Sequence, residues 1–333
     1  MENLLSDVYF EKFLDVKGRI LVVTSKGRSK TKYFKKFFSK RKDIDLIFIE
    51  GEPNIEDIDI SYKDLKDKNF SCCFAFGGGS AIDFAKILIF SLNIKKEPSN
   101  VLKFDFNRHK RKTPLYIFPT TYGSGSEMTS IAVFKKFGIK SSLKSKSLFP
   151  DRVFIFEDNY PDPEEEKSKY FISDAFCHAL ESFYSKNSNC FSREISKLSM
   201  KIISKNILSK NKKSKTDFAL ASLLAGLAED FAGVGIIHAL AYPLQNKLGF
   251  SHSYSNFLTL SKVKGKFFGD NNFSLLKDCD VPNVIKKMTN KVKMNDDIDL
   301  EEMTENCLVY EKLIKNSPVL ITKKFIKSFY SKL

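Results

Sequence analysis

In the first half of the chain, short apolar runs alternate with stretches long enough to form helices. The runs are RILVVT (19–24), DLIFIE (45–50), CCFAF (72–76) and LYIFP (115–119), each bounded by polar or turn-forming residues. That rhythm predicts a parallel sheet, because parallel strands need crossover connections and the helices that make them cover both faces. Two further runs, SIAVF (130–134) and RVFIF (152–156), lie close together and predict an antiparallel pair near the sheet edge. After Pro161 and Pro163 the texture changes, and from about Lys167 to Leu333 the pattern is helix after helix. Within that half TDFALASLLAGLAEDF is apolar nearly all round, which predicts a buried central helix. The expected organisation is an α/β domain over residues 1–160 and an all-helical domain over residues 161–333, with the boundary within 157–165.

Nothing in the bulk composition opposes this. A chain of 333 residues holds two domains, each with its own core. No run approaches the roughly 18 apolar residues of a membrane span. The start, MENLLSDVYFEKF, is acidic where a signal peptide would be basic, so a cytoplasmic protein is expected. Six cysteines, at 72, 73, 177, 190, 279 and 307, include no CxxC and read as packed, reduced thiols. The net charge of +15 is spread along the chain, and runs such as 30–42 and 204–215 place lysines at helical spacing among apolar residues. They predict solvated faces of amphipathic helices, and neither a nucleic-acid nor a membrane partner is expected.

Two clusters carry ligand chemistry in the first half. CCFAFGGGSAIDFAK sets Gly77, Gly78 and Gly79 between a strand and a helix, where backbone can approach a phosphate and the helix offers free N–H groups and a positive dipole end. GxGxxG after the first strand is absent; TSKGRSK stands there. FPTTYGSGSEMTS (118–130) then supplies hydroxyls and flexible backbone beyond the next strand, where open α/β sheets bind ligands. Read together, the two clusters point to one shared ligand.

The second half holds three of the chain's four histidines. In SDAFCHALESFY, Asp174 and His178 stand four residues apart, on one helical face. In GIIHALAYPLQNKLGFSHSYSN, His238 and His252 are fourteen apart; Gly249 and Phe250 are expected to end the first helix, so that His252 opens the next and folds back. One carboxylate and three imidazoles suit Fe²⁺ or Zn²⁺ and leave a position for water or a substrate oxygen. His109, in the basic stretch NRHKRK, is expected to be an exposed bystander.

GGGSAIDFAK, PTTYGSGSEMTS, SDAFCHALESF and GIIHALAYPLQNKLGFSH, in this order and spacing, closely resemble the iron-containing (group III) alcohol dehydrogenase family. The resemblance runs from about residue 19 to 260. It implies a Rossmann-like nucleotide domain and a helical metal domain, as in dehydroquinate synthase-like folds, with the active site in a cleft between them. It also implies a metal-dependent NAD(P)H oxidoreductase that reduces a small aldehyde. On this resemblance the metal falls to Asp174, His178, His238 and His252. Gly78, Gly79, Ser80 and Asp83 would take the pyrophosphate and nicotinamide end, with Thr120, Thr121 and Ser124 on the other side. Lys140, in GIKSSL, matches a cofactor-contacting lysine, and Asn54, in EPNIED, matches the asparagine of a PNP element, although Ile55 replaces its second proline.

Three departures from the family pattern carry consequences. Ser25, followed by Lys26 and Arg28, stands where an acid often binds the adenosine ribose, which favours NADPH over NADH. Tyr242 replaces a second histidine and removes a proton relay, and Ser253 replaces a glycine. Within the family, the short link from Thr129 to Lys140, SLKSKSLFPD and HALAYPL most resemble the phosphonoacetaldehyde reductase branch, which makes 2-hydroxyethylphosphonate in phosphonate biosynthesis. The alternatives are another small-aldehyde dehydrogenase of the family, a dehydroquinate-synthase-like lyase and a basic nucleic-acid-binding protein. A homodimer is left open.

Overall fold

The computed structural model describes residues 16–101, 109–289 and 298–333, so the N-terminal stretch 1–13 lies outside the described residues. The chain forms two compact units, one of residues up to Thr121 together with Ser126–Tyr160, the other of Tyr122–Gly125 with Pro161–Leu333.

In the first unit β1 (Ile20–Thr24), β2 (Ile44–Phe48), β3 (Cys72–Gly77), β4 (Leu115–Pro119) and β7 (Arg152–Val153) form a parallel sheet in the order β2-β1-β3-β4-β7. The central strands β1, β3 and β4 look continuously apolar because both their faces are buried, while the edge strands β2 and β7 are only partly covered. Leu21, Val23, Cys73, Ala75 and Ile117 point to one side, against α2 (Ile55–Leu65) and α3 (Gly79–Ile94). Ile20, Val22, Phe74, Phe76 and Phe118 point to the other, against Phe34, Phe37 and Phe38 of α1 (Lys32–Phe38), whose lysines stay outside as expected. Of the run 204–215, by contrast, residues 209–214 are not helical and separate two helices.

SIAVF and RVFIF do not pair with each other. β5 (Ile131–Lys136) forms an antiparallel hairpin with β6 (Ile139–Lys144), and RVFIF instead adds β7 in parallel to β4. The expectation failed because IKSSLK is too polar to read as a strand. The hairpin rests on its two-residue turn, in which Phe137 (φ 51°) and Gly138 (φ 76°) both adopt the left-handed conformation that matches strand twist.

The second unit is helical over its described residues: α4 (Glu166–Tyr184), α5 (Cys190–Leu208), α6 (Lys215–Ala232), α7 (Ile236–Leu248), α8 (His252–Leu260), α9 (Val281–Met288), α10 (Leu300–Leu308), α11 (Glu311–Asn316) and α12 (Lys323–Tyr330). α6 is buried on one side only. Its alanine face packs on α4 and α5, while Leu220 and Phe231 are exposed, Phe231 edge-on to Phe191. Its glycine explains why Tyr122–Gly125 joins this unit. A Cβ on Gly226 would lie 2.1 Å from the Gly125 carbonyl oxygen, so only glycine lets the two backbones touch. Gly123 N–H donates to Ser222 Oγ at 2.7 Å and fixes the same loop.

Five cysteines are buried and Cys190 is exposed. No single helix among the described residues is long and apolar enough to cross a membrane.

Asp270 ties two parts of the helical unit together. Its carboxylate accepts from Ser274 N–H (2.8 Å), Leu275 N–H (3.0 Å) and Tyr184 Oη–H (2.5 Å). Burial alone would raise its pKa, but these donors prevail and hold it at about 2. A carboxyl depressed on folding stabilises fully above its unfolded value of about 3.9 and loses that contribution as pH falls through the folded value. Asp270→Ala should therefore lower the urea midpoint at pH 7 by the equivalent of about 3 kcal/mol. The gap between variant and parent should narrow between about pH 4 and pH 2; a gap independent of pH would contradict the assignment.

Candidate active site

The strand order places β2 on one side of β1 and β3 on the other, so successive crossovers leave β1 in opposite directions. Ligands of open α/β sheets bind at the carboxyl ends of strands flanking such a switch point. The glycine turn lies there, at the end of β3. Gly78 is extended (φ −81°, ψ −170°) and precedes α3 without a side-chain cap. A Cβ on Gly78 would come within 2.7 Å of Thr121 Oγ1, so the turn and Thr121 are in direct apposition. Gly78, Gly79, Ser80 and Thr121 are all partly exposed.

The other expected cofactor residues are placed differently. Asp83 is buried, accepting from Ser126 Oγ–H (2.5 Å) and Val133 N–H (3.1 Å). Burial raises its pKa despite the nearby Lys86 ammonium. Thr120 is fully buried, with its hydroxyl unpartnered and its N–H donating to the Gly77 carbonyl. Ser124 belongs to the helical unit. Asn54 bridges to Lys135 of β5, and Lys140 of β6 reaches Glu52 at 3.2 Å. The hairpin thus brings Asn54 and Lys140 to the same region, beside a cavity of about 370 Å³ at the end of β2 lined by Lys26, Glu50, Glu52, Asn54 and Asp57. In the turn after β1, the Arg28 guanidinium donates to the Thr120 and Asn159 carbonyls, and Lys26 pairs with Glu50.

In the helical unit, Asp174, His178, His238 and His252 each offer one donor atom, and these atoms all lie within 4.8 Å of one another. Asp174 and His178 share a face of α4; His238 lies in the first turn of α7, which ends at left-handed Gly249; His252 opens α8. All but His252 are buried. Asp174 Oδ1 is 3.8 Å from His238 Nε2 and 3.6 Å from His252 Nε2, and the Nε2 atoms of His178 and His238 stand 3.1 Å apart. Burial would lower the His178 pKa, but the carboxylates of Glu229, Asp174 and Glu181 outweigh it and raise it. Ligand bonds of about 2.0–2.2 Å put donors on one ion roughly 3.3–4.4 Å apart, depending on the angle between them, and the 3.1, 3.6 and 3.8 Å separations here lie close to that spacing.

Two neighbours were not picked out from the sequence. Asn256 Nδ2 lies 2.5 Å from Asp174 Oδ1, 3.0 Å from His238 Nε2 and 3.3 Å from His252 Nε2, and its buried Oδ1 has no hydrogen-bond partner. One amide thus faces three lone pairs that a cation would otherwise take. Glu181 Oε2 is 2.6 Å from His238 Nδ1; burial pushes its carboxyl up to about 7 against the pull of backbone N–H groups at Ile237, Gly235 and His238. Helical spacing was the available signal, since Asn256 follows His252 by four and Glu181 follows His178 by three. Tyr242 lies beside the cluster, its ring 5.8 Å from that of His252. His109 stands apart, half-buried rather than exposed, its carbonyl accepting from Ser147 Oγ–H.

A glycine turn at a sheet switch point and an aspartate–trihistidine cluster are the kinds of arrangement that receive a phosphate and a metal ion. The iron-containing alcohol dehydrogenase family model matches residues 9–156, and the model of that family's C-terminal region matches residues 172–328. The 4-hydroxybutyrate dehydrogenase of Clostridium kluyveri is 32% identical over 265 residues, covering 74% of this chain and 69% of that protein. Other curated relatives align over about 56% of their own length. An iron-containing alcohol dehydrogenase crystal structure superposes with a TM-score of 0.83 at 23% identity, covering 97% of this chain and 93% of that one. Sulfoacetaldehyde reductase from Bifidobacterium kashiwanohense, in complex with NAD⁺, gives 0.79 at 19% identity, covering 99% and 93%. The chain belongs to the iron-containing alcohol dehydrogenase family, and its fold, a parallel-sheet α/β domain followed by a helical domain, is that family's.

Proposed function

We propose that this protein is a metal-dependent NAD(P)H oxidoreductase that reduces a small anionic aldehyde to the alcohol. The observation that carries this reading is the convergence of one carboxylate and three imidazoles within 4.8 Å. Asp174, His178, His238 and His252 would hold one Fe²⁺ or Zn²⁺, which supplies Lewis-acid polarisation of a carbonyl oxygen, while a nicotinamide supplies hydride. Asp174 contributes the one negative charge among the four ligands. The imidazoles bring none, so the site would retain net positive charge with a divalent ion.

Gly78, Gly79 and Ser80, at the amino end of the 16-residue helix α3, would receive the pyrophosphate, with Thr121 against the same turn. Asn54 and Lys140 would meet the nucleotide near the end of β2. The turn Ser25–Thr31 contains Lys26, Arg28 and Lys30 and no acid, which supports NADPH over NADH. Asp83 and Thr120 would act by holding the binding loops in place.

An anionic substrate is supported by the names of two similar proteins, a 4-hydroxybutyrate dehydrogenase and, among the fold neighbours, a sulfoacetaldehyde reductase. Phosphonoacetaldehyde is the specific candidate, on the sequence likeness to its reductases. The test follows NADPH and NADH oxidation over aldehydes bearing a phosphonate, sulfonate, carboxylate or no charge. Stoichiometric oxidation, at least about tenfold faster with an anionic aldehyde and with NADPH, is expected. Equal rates for charged and neutral aldehydes would remove the anionic substrate, and catalytic recycling of the nicotinamide would point to a lyase.

A further inference from the structure

We propose that Glu181 is a positioning residue of the metal centre, fixing the tautomer and ring plane of His238 so that Nε2 faces the other ligands. The inference rests on the metal reading above. Asp174, His178 and Glu181 follow one another at four and three residues on α4, so one helical face carries two ligands and this carboxylate. Glu181 and His238 are both almost completely buried, their side chains 1% exposed.

The Glu181 carboxylate meets three nitrogens at the start of α7. Oε1 takes the Ile237 N–H at 2.5 Å, and Oε2 lies 2.6 Å from His238 Nδ1 and 3.4 Å from the His238 N–H. Both carboxyl oxygens already face backbone N–H groups, an arrangement suited to accepting from Nδ1–H as well, and a neutral ring protonated at Nδ1 keeps its lone pair on Nε2. The surroundings of Nε2 agree independently, because the Asn256 amide nitrogen, which can only donate, lies 3.0 Å from it. Holding the backbone of the same residue as well as its ring, Glu181 fixes both ends of the His238 side chain. Carboxylate support of this kind orients ligand imidazoles in metal sites and is worth about 10- to 100-fold in metal affinity.

A competing reading makes Glu181 only the cap of α7, since Gly235 offers that helix no side chain. The two readings separate in Glu181→Ala and Glu181→Gln, titrated with Co²⁺ as a visible probe and melted without metal. Glutamine keeps an oxygen that can accept from Nδ1–H but cannot accept at both places.

Positioning predicts that Glu181→Ala weakens Co²⁺ binding by about 10- to 100-fold and shifts its ligand-field bands. Glu181→Gln should recover parental bands and most of the affinity while still losing thermal stability. Parental affinity and spectrum in Glu181→Ala would overturn the proposal, as would equal losses in both variants. Should the alanine variant not fold, Glu181→Asp, which withdraws the carboxylate by one methylene, carries the same comparison. If the parent protein binds no Co²⁺, the metal reading fails and this inference with it. If the parent binds one ion per chain and Glu181→Ala matches it, only this inference fails.

Discussion

Alanine at His252 is expected to cut NAD(P)H-dependent aldehyde reduction by at least about 10²-fold, because the polarisation a metal provides is worth several kcal/mol. The prediction uses His252 because its side chain is 23% exposed at the start of α8, so its removal leaves the helical core standing. Its Nε2 lies 3.6 Å from Asp174 Oδ1, close enough to share an ion with it. The variant should melt within a few degrees of the metal-free parent and carry less metal per chain. A variant with full metal content and full activity would show that the cluster is not the site.

Loss of Lys86 should have the largest effect on stability. Its ammonium is fully buried, and hydrogen-bond partners surround it: the carbonyls of Ser126 (2.7 Å), Thr129 (2.9 Å) and Ile131 (2.6 Å) and the hydroxyls of Ser126 and Thr129 (both 3.0 Å). Asp83 Oδ1 lies 3.9 Å away. Lys86→Met would leave a carboxylate and several oxygens buried without their cation, which costs about 3–5 kcal/mol. The first unfolding transition should fall by roughly 10 °C. Adding Asp83→Leu should restore part of the loss, since the uncompensated charge goes with it. A single variant within a degree or two of the parent would mean that water or another cation replaces the ammonium. Lys86 stands seven residues after Gly79 and holds the segment just beyond Thr121, so the same variant should weaken nucleotide binding.

Much of this was legible in the sequence because the relevant signals are local. The four parallel strands stood out as apolar runs between turns, and the glycines after CCFAF marked where a strand becomes a helix. Asp174 and His178 could be put on one helical face by counting, and Gly249 marked the end of the helix carrying His238. What the sequence hid depends on contacts between distant residues. IKSSLK has a strand's geometry without a strand's composition, so β6 was missed and SIAVF was given the wrong partner. The one-sided burial of α6 depends on which face meets α4 and α5. Tyr122–Gly125 joins the helical unit through Gly226, about a hundred residues away, as no local pattern could reveal. Arg28 was read for its charge, and its two carbonyl partners, at Thr120 and Asn159, emerge only once β1, β4 and the segment after β7 lie side by side.

The most direct test of the account is a metal titration of the full chain after chelation. NADPH oxidation in the presence of a small anionic aldehyde is followed as Fe²⁺ or Zn²⁺ is returned. No oxidation is expected in the stripped protein, with recovery that saturates at one ion per chain and no recovery in His252→Ala. Full activity in the stripped protein, or parental recovery in His252→Ala, would contradict it.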